Sequence, residues 1–161
     1  MFIRLRPLIF SSFIFLFLIA TPGVAPAQTY DWISGLGPEG GAVFDLAEAP
    51  NGDIYAALWF SGGVYRSTDG GVNWAEAGLQ GYSISELVIN GAGDVFAAGW
   101  NTRVYRLVHG ATPWESLGND LVGTFGAVAY DPDLDILYAA RGGKVSRSLD
   151  GGDTWGQVST N

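Results

Sequence analysis

The amino-acid sequence predicts an all-β protein built from repeated four-stranded antiparallel units. Three similar segments end on Trp74, Trp114 and Trp155, which are 40 and 41 residues apart. Within each segment, short runs rich in Val, Ile, Tyr and Phe alternate with clusters of Gly, Asn, Asp and Pro, as strands alternate with turns. No stretch after residue 28 shows a helical period of apolar residues. Four strands recurring at this interval are typical of the blades of a β-propeller.

Each repeat is predicted to contain four strands in the same order. The first strands are expected at 43–47, 84–89 and 125–130, the second at 54–59, 95–100 and 136–141, and the third at 64–67, 104–107 and 144–148. The fourth strands surround the three terminal tryptophans. Alanine pairs occupy the middle of every second strand, and such small side chains suit close packing of one sheet on another. The competing interpretation is a set of hairpins in an ordinary β-sandwich.

The repeats divide the chain into three expected blades, at about 40–80, 81–120 and 121–161. Residues 28–39 are expected to hold one isolated strand of an incomplete blade, because YDWISGL (30–36) resembles NWAEAGL (73–79). The sequence thus predicts a partial propeller, since closed rings have about four to eight blades. We expect the first part of a longer protein, and the alternative is that several chains assemble into one ring.

Residues 1–27 have the layout of a secretory signal peptide. Arg4 and Arg6 precede an apolar run at 9–20, and a small-residue cleavage site follows at 25–27. The alternative is an uncleaved membrane anchor, but the run of 12 residues is shorter than the roughly 20 that a spanning helix needs. We therefore expect cleavage after Ala27, no membrane insertion of the remaining chain, and a secreted, periplasmic or cell-surface location.

Composition narrows the classes of function. The leader holds two of the eight basic residues and none of the sixteen acidic ones, so the remaining chain has a formal charge of −10. Such a surface repels phosphate backbones, which argues against nucleic acid and anionic membranes as partners. The sequence has no cysteine and one histidine, His109. Thiol catalysis and cysteine-ligated metals are thereby excluded, histidine-based sites are disfavoured, and no cofactor or metal is predicted.

A short motif occurs once in the first repeat, as STDGGVNW (67–74), and again in the third, as SLDGGDTW (148–155). Its position between the third and fourth strands predicts a hairpin turn. The aspartate can accept hydrogen bonds from turn N–H groups, and the paired glycines can take positive φ at no steric cost. The tryptophan ring can fold back over the turn. Every position then has a structural role, so no catalytic role is required.

The motif resembles the Asp-box, or BNR repeat, Ser-x-Asp-x-Gly-x-Thr-Trp. The first copy matches, with Asn73 in place of threonine, at Ser67, Asp69, Gly71 and Trp74. The second copy matches throughout, at Ser148, Asp150, Gly152, Thr154 and Trp155. Counted over the whole repeat, the resemblance covers about 40–158. It implies a propeller like those of sialidases, sortilin-type receptors and photosystem assembly factors, in which the box is a fold element away from the functional face.

The middle repeat has lost most of this motif. Only Trp114 survives, while Leu107, His109, Ala111 and Pro113 stand in place of the Ser, Asp, Gly and Thr of the motif. A degenerate turn between two intact ones is tolerable when the sheet carries the fold, and it would be harder to accept if every box were an active site. A surface side chain is the expected role of His109.

Catalytic and metal sites find little support in the sequence. A sialidase needs three arginines, a tyrosine–glutamate pair and an acid, and Arg66, Arg106 and Arg147 instead occupy one repeat position. The alternating acids of DPDLD (131–135) resemble a calcium loop, but Ile136 and Gly142 stand where its glycine and glutamate belong. We expect a solvated turn there, and no enzyme.

Two tryptophans on second strands, Trp59 and Trp100, are candidates for an aromatic ligand platform, although core packing is the default role of such residues. The sequence therefore predicts an exported, non-catalytic propeller scaffold that binds an unidentified protein or glycan. Two alternatives stay open, the N-terminal fragment of a secreted sialidase-like glycosidase and a cell-surface adhesion module.

Overall fold

The computed structural model describes residues 37–38, 41–109, 111–117 and 126–158, which form twelve strands. Blade 1 contains β1 (Val43–Glu48), β2 (Ile54–Leu58), β3 (Gly63–Ser67) and β4 (Ala75–Gly78). Blade 2 contains β5 (Ser83–Ile89), β6 (Val95–Trp100), β7 (Tyr105–Leu107) and β8 (Glu115–Ser116). Blade 3 contains β9 (Ala127–Asp131), β10 (Ile136–Arg141), β11 (Lys144–Ser148) and β12 (Gly156–Gln157). The expected signal peptide and the isolated strand at 30–36 lie outside the described residues.

The predicted fold class is confirmed, because each blade is a separate four-stranded antiparallel sheet with its strands in sequence order. No helix occurs within the described ranges. The expected strand positions differ mainly at the fourth strands. These begin one residue after each tryptophan, at Ala75, Glu115 and Gly156, because the tryptophan itself still belongs to the turn.

The antiparallel order gives every sheet two distinct ends. At one end, here called the lower end, lie the loop between the first and second strands and the loop between the third and fourth strands. At the other, the upper end, lie the loop between the second and third strands and the connection to the next blade. In blade 1, Gly63 N–H donates to Tyr82 O over 3.0 Å, which ties the upper loop to the connection that follows.

The core lies between successive blades and is formed by alternate residues of the second strands. In β6, Val95 and Ala97 face blade 1, while Phe96 and Ala98 face blade 3. Phe96 is fully buried, and burial of a side chain of this size contributes roughly 1.5–3 kcal/mol. The adjacent alanines of β6 therefore serve two different interfaces, which explains why the second strands carry alanine in pairs.

The first strands of neighbouring blades are also joined by carboxylates. Asp45 Oδ2 accepts a hydrogen bond from Leu87 N–H over 2.8 Å, and Glu86 Oε2 accepts one from Val128 N–H over 3.0 Å. Asp45 and Glu86 occupy equivalent positions, 41 residues apart. The same contact thus recurs at both blade boundaries and fixes the register of one sheet against the next.

The described residues include no helix with the length and hydropathy that crossing a membrane requires.

Candidate functional site

The lower end of blade 1 is closed by the turn at 67–74, called turn 1. The Oγ of Ser67 accepts the N–H of Gly71 over 2.8 Å and donates to Asp69 Oδ1 over 2.8 Å. Asp69 in turn accepts the backbone N–H of Asn73 at Oδ1 and its side-chain amide at Oδ2, over 2.9 and 2.7 Å. The Nε1 of Trp74 donates to Gly71 O over 3.0 Å. These groups are therefore engaged inside the turn.

The corresponding turn of blade 3, residues 148–155 and called turn 3, repeats this arrangement. Gly152 N–H donates to Ser148 Oγ over 2.8 Å, and Ser148 Oγ donates to Asp150 Oδ1 over 2.7 Å. Asp150 accepts the backbone N–H of Thr154 over 2.9 Å and its hydroxyl over 2.5 Å. The Nε1 of Trp155 donates to Gly152 O over 2.8 Å. Threonine thus takes the part that asparagine has in turn 1.

These hydrogen bonds stabilise the ionised aspartates. Asn73, first through its backbone N–H and then through its amide, lowers the pKa of Asp69 from 3.8 to about 2. Thr154, first through its hydroxyl and then through its backbone N–H, lowers the pKa of Asp150 to about 2. A carboxylic acid with such a low pKa is a poor general acid near neutral pH, since it holds no proton to donate.

The degenerate turn of blade 2, called turn 2, uses its tryptophan differently. In turns 1 and 3 the indole N–H donates to a carbonyl of its own turn. In turn 2, Trp114 Nε1 instead donates to Ala77 O of blade 1 over 2.7 Å. Its ring lies so close to Gly78 that a Cβ there would come within 2.7 Å of the indole. Trp114 therefore joins two blades.

The arginines that share one repeat position also differ in their partners. Arg66 pairs with Asp53 of its own blade, over 2.5 Å from Nη2 and 3.0 Å from Nε. Arg106 reaches from blade 2 to turn 3, where it bonds Gly151 O over 2.8 Å and Asp153 Oδ1 over 3.0 Å. Arg106 also pairs with Glu115 of its own blade over 2.9 Å. Arg66 thus pairs within its blade, whereas Arg106 pairs both within its blade and across the blade boundary.

The upper end carries exposed aromatic side chains. Phe60 and Trp100 are 73% and 66% exposed, and Phe44 is 56% exposed. Trp59 stacks on Phe44 with ring centroids 5.0 Å apart, and Trp100 lies at the equivalent end of β6 in the next blade. We call Phe44, Trp59, Phe60, Tyr82 and Trp100 the upper aromatic patch. The structure therefore places both platform candidates at one end of adjacent sheets, without stacking one on the other.

Two tyrosines beside this patch contact each other. Tyr82 and Tyr105 have ring centroids 5.5 Å apart, in a tilted arrangement. Burial, followed by the hydrogen bond with Tyr82, raises the pKa of Tyr105 to about 12. The phenol of Tyr105 therefore stays neutral at physiological pH and takes part in this hydrogen bond without carrying charge.

The hairpin tip of blade 1 holds two adjacent non-glycine residues at positive φ. Phe60 and Ser61 have φ values of 57° and 65°, and Gly62 N–H closes the turn on Trp59 O over 3.3 Å. At the matching tip of blade 3 the two central residues are Gly142 and Gly143, which take positive φ freely. A bulky residue at positive φ is uncommon. The chain thus holds a phenylalanine at an unfavourable position where its ring is exposed to solvent.

The described residues contain no group of three or more His, Asp or Glu that could hold a metal ion. Asp131 Oδ1 accepts the N–H groups of Asp133 and Leu134 over 3.0 and 3.2 Å, so it closes the 131–135 turn. Asp135 accepts the hydroxyl of Tyr130 over 2.9 Å. Two of the three alternating acids, Asp131 and Asp135, are therefore engaged with the turn and its neighbour. His109 is exposed in turn 2, and its backbone N–H donates to Asp94.

Sequence reasoning missed the upper residues Phe44, Phe60 and Tyr82. The signal available in the sequence was Phe60 followed by Ser-Gly-Gly in a predicted loop. A two-residue hairpin requires positive φ at both central residues, and so short a loop places Phe60 at its tip. Phe44 could not be recognised from alternation alone, since a register shift between Val43 and Asp45 places it off the regular pattern of β1.

No family model and no curated protein matches the sequence. Solved structures do match it, with low sequence identity. YCF48 bound to D1 peptide has a TM-score of 0.57 and 21% identity over 73% of this chain and 39% of its own. Virginiamycin B lyase from Staphylococcus aureus has a TM-score of 0.57 and 20% identity over 73% of this chain and 41% of its own.

The GH74 enzyme of Niastella koreensis is similar over a smaller share of its length, with a TM-score of 0.56 and 22% identity over 65% of this chain and 19% of that chain. This chain thus spans between a fifth and two fifths of the structures it resembles. Identities this low establish the fold and leave function open. The three sheets therefore form part of a β-propeller.

Proposed function

We propose that this protein is an exported, non-catalytic β-propeller scaffold that binds a partner through the upper ends of its blades. The observation that carries the proposal is the contrast between the two ends. At the lower end, turns 1 and 3 use their carboxylates, hydroxyls and indole N–H groups within the turn itself. At the upper end, the aromatic patch leaves large apolar rings in water, where they are available to a ligand.

The chemistry of the patch suits protein or glycan binding. Aromatic side chains dominate binding energy at interfaces, because they bury much area for little loss of rotamer entropy. The strained φ of Phe60 supports a functional reason for the residue, since glycine would form the same hairpin without strain. YCF48, a relative in fold, was solved with a bound peptide. The assignment of turns 1 and 3 as Asp-boxes, which are fold elements in other propellers, supports the same view.

The test compares two variants with equally exposed side chains at opposite ends. Trp100 and Leu134 are each 66% exposed, the first at the upper end and the second at the lower end. Ligands are first identified with a glycan array and by crosslinking in the extracellular fraction. We expect Trp100→Ala to lower the affinity for these ligands by about tenfold or more. Leu134→Ala should leave these affinities unchanged. Ligands lost equally from both variants would contradict the proposal.

A second candidate, the N-terminal fragment of a secreted glycosidase, is favoured by the similarity in fold to a GH74 enzyme. Its catalytic residues would then stand in blades that follow this segment. Release of sialic acid from sialyllactose, or of reducing sugar from a polysaccharide panel, by a protein expressed from a reading frame that continues past Asn161 would favour the enzyme over the scaffold. Further Asp-boxes with acid–arginine clusters in a reading frame continuing past Asn161 would favour a longer enzyme.

Export is tested separately. The basic start, the apolar run and the small-residue site support cleavage after Ala27. Expression of the full chain in a bacterial host, followed by N-terminal sequencing of the exported protein, should give Gln28 as the first residue. A product that keeps Met1 and stays in the membrane fraction would instead favour the anchor.

A further inference from the structure

A cleft of about 890 Å³ opens at the lower end between blades 1 and 2. This volume lies within the range of about 300–1,000 Å³ that is usual for ligand sites. One wall is formed by residues 73–79, which comprise the end of turn 1 and all of β4, and the other by residues of the 107–114 segment. No residue of the upper aromatic patch lines the cleft, so it is a separate candidate site.

The degenerate turn explains why this boundary is open. Between blades 2 and 3, Arg106 crosses the boundary and bonds Asp153 and the carbonyl of Gly151. At the equivalent of Asp153, turn 2 carries Thr112, which offers no carboxylate. Arg66, the equivalent of Arg106, accordingly turns back to Asp53. The space that an arginine spans at one boundary is thus left as a cleft at the other.

The first wall is the edge of a sheet. β4 pairs only with β3, so its other side lacks a strand neighbour within blade 1. Because seven consecutive residues line the wall, the cleft follows the backbone edge rather than one face of the strand. Ala77 O already accepts Trp114 Nε1 from across the cleft, so the part of the edge that is open to an added strand is the exposed start of β4, at Ala75 and Glu76. Such an edge is a template for an added strand.

The side chains around this edge favour cations. Arg66 is neutralised by Asp53, whereas two carboxylates on the same wall keep their negative charge. Those of Asp69 accept hydrogen bonds within turn 1, and Glu76 Oε1 accepts the Tyr65 hydroxyl over 3.5 Å, so both act on a ligand mainly through their charge. Trp74 and Trp114 also line the cleft, and their indole N–H groups already have acceptors, so the rings offer apolar and cation-binding faces. The whole chain has a formal charge of −8, which attracts a basic partner over longer range.

We propose that this cleft binds an extended peptide segment of a partner protein, rich in Lys or Arg, as an added strand along β4. Backbone hydrogen bonds to the β4 edge supply affinity for any extended chain. The carboxylates of Asp69 and Glu76, together with the two indole rings, select cationic side chains. This binding does not depend on the upper patch, so either proposal can fail alone.

The probe is an acetylated and amidated eight-residue peptide that alternates valine and lysine, compared with its valine–glutamate counterpart. Titration calorimetry gives the affinities, and amide chemical shifts locate the binding. We expect the lysine peptide to bind at least about tenfold more tightly, since like charges across an interface are strongly unfavourable. The largest shifts should fall on Ala75–Gly78. Equal affinities, no binding of either peptide, or shifts confined to other strands would overturn the proposal.

Three variants separate a specific site from general attraction to an acidic protein. Glu76→Lys reverses a charge on the cleft wall, whereas Asp133→Lys makes the same change on an exposed turn of blade 3. Affinity for the lysine peptide should fall about tenfold or more in the first and less than twofold in the second. Ala111→Trp, on the exposed opposite wall, should block the cleft while circular dichroism stays unchanged. Equal losses in the two charge variants would leave only non-specific attraction and so reject the site.

A neutral oligosaccharide, cellohexaose, is the last comparison. Shifts at Ala75–Gly78 with this sugar and none with the lysine peptide would assign the cleft to a glycan, which contradicts the proposal. The peptide proposal instead requires that the lysine peptide alone moves these amides.

Discussion

Asn73 and Thr154 occupy the same position of turns 1 and 3, and both donate to the second carboxylate oxygen of the turn aspartate. An amide and a hydroxyl therefore close the same turn, because each presents a donor at similar reach. The local chemistry of serine, aspartate and glycine in these turns could be predicted from the sequence. The equivalence of asparagine and threonine could not, since it depends on the direction of Asp69 Oδ2 in the folded turn.

The depressed pKa values of Asp69 and Asp150 predict a contribution to acid unfolding. Each carboxyl has a pKa near 2 when folded, below its ordinary 3.8. The stability they provide is then fully present above about pH 4 and is lost as the pH falls towards 2, where the folded carboxylates take up protons. Asp69→Asn with Asp150→Asn should therefore flatten the pH dependence of the thermal midpoint between pH 4 and 2. Circular dichroism measures the midpoint.

Asp133→Asn provides the comparison for this prediction. It removes an exposed carboxylate outside the two turns, so the slope below pH 4 should stay close to that of the unmodified protein. If the double variant and the unmodified protein lose stability with the same slope, the turn hydrogen bonds do not control acid unfolding.

The strained hairpin tip of blade 1 predicts that a substitution there which stabilises the fold weakens ligand binding. Phe60→Asn with Ser61→Gly gives the residue pair best suited to positive φ in a two-residue hairpin. Because Phe60 is largely exposed, the substitution loses little burial, and the free energy of unfolding measured in urea should rise by about 1 kcal/mol. Partner binding through the upper patch should fall. An unchanged or lower free energy of unfolding would show that the Phe60 ring stabilises the fold.

At the scale of the elements, the positions of the strands could be predicted from the sequence, whereas the hydrogen-bond partners of the turns could be predicted only in part. Short apolar runs between glycine and asparagine clusters locate β2, β6 and β10 within one residue, because the period is local. The bond from Trp114 to Ala77 was not predictable, since it needs a neighbour 37 residues away. The sequence did carry one signal, because Ala111 replaces the glycine whose carbonyl accepts the indole N–H in turns 1 and 3.

Close packing of Trp114 on β4 predicts that Gly78 does not tolerate a side chain. Gly78 has a φ of 113°, and a Cβ would lie 2.7 Å from the indole. Gly78→Ala should lower the free energy of unfolding by about 3 kcal/mol, through backbone strain and overpacking. Gly70→Ala is the matched control, because Gly70 also has positive φ but no atom within 4 Å of a Cβ. It should cost about 1 kcal/mol, and equal losses would exclude a role for the ring contact.

At the scale of the whole molecule, the blades are joined by contacts that repeat with the sequence period and by contacts that do not. The carboxylates of Asp45 and Glu86 recur at both boundaries. The crossing by Arg106 and the crossing by Trp114 each occur at one boundary. The sequence predicted that blades pack in order, because alanine pairs recur. Which side chains cross each boundary depends on single substitutions such as Thr112 for Asp153.

Glu86 tests how far a repeated contact supports the assembly. Val128 is almost fully buried, and its N–H would lose the Glu86 carboxylate as acceptor in Glu86→Ala. An unsatisfied buried donor costs about 1–3 kcal/mol, and the free energy of unfolding in urea should fall by that amount. Glu86→Gln keeps an acceptor oxygen, so its free energy of unfolding should fall by less. If both variants unfold like the original protein, the boundary does not depend on this bond.

The two-sided burial of β6 has a consequence for how the amides of the molecule exchange with deuterated water. Phe96, Ala97 and Ala98 have no exposed surface, and neighbouring sheets cover them from opposite sides. Their N–H groups can reach solvent only when both neighbours separate, which amounts to global unfolding. Deuterium uptake at these three positions should therefore be the slowest in the chain, and its rate would report the stability of the entire assembly from a single strand.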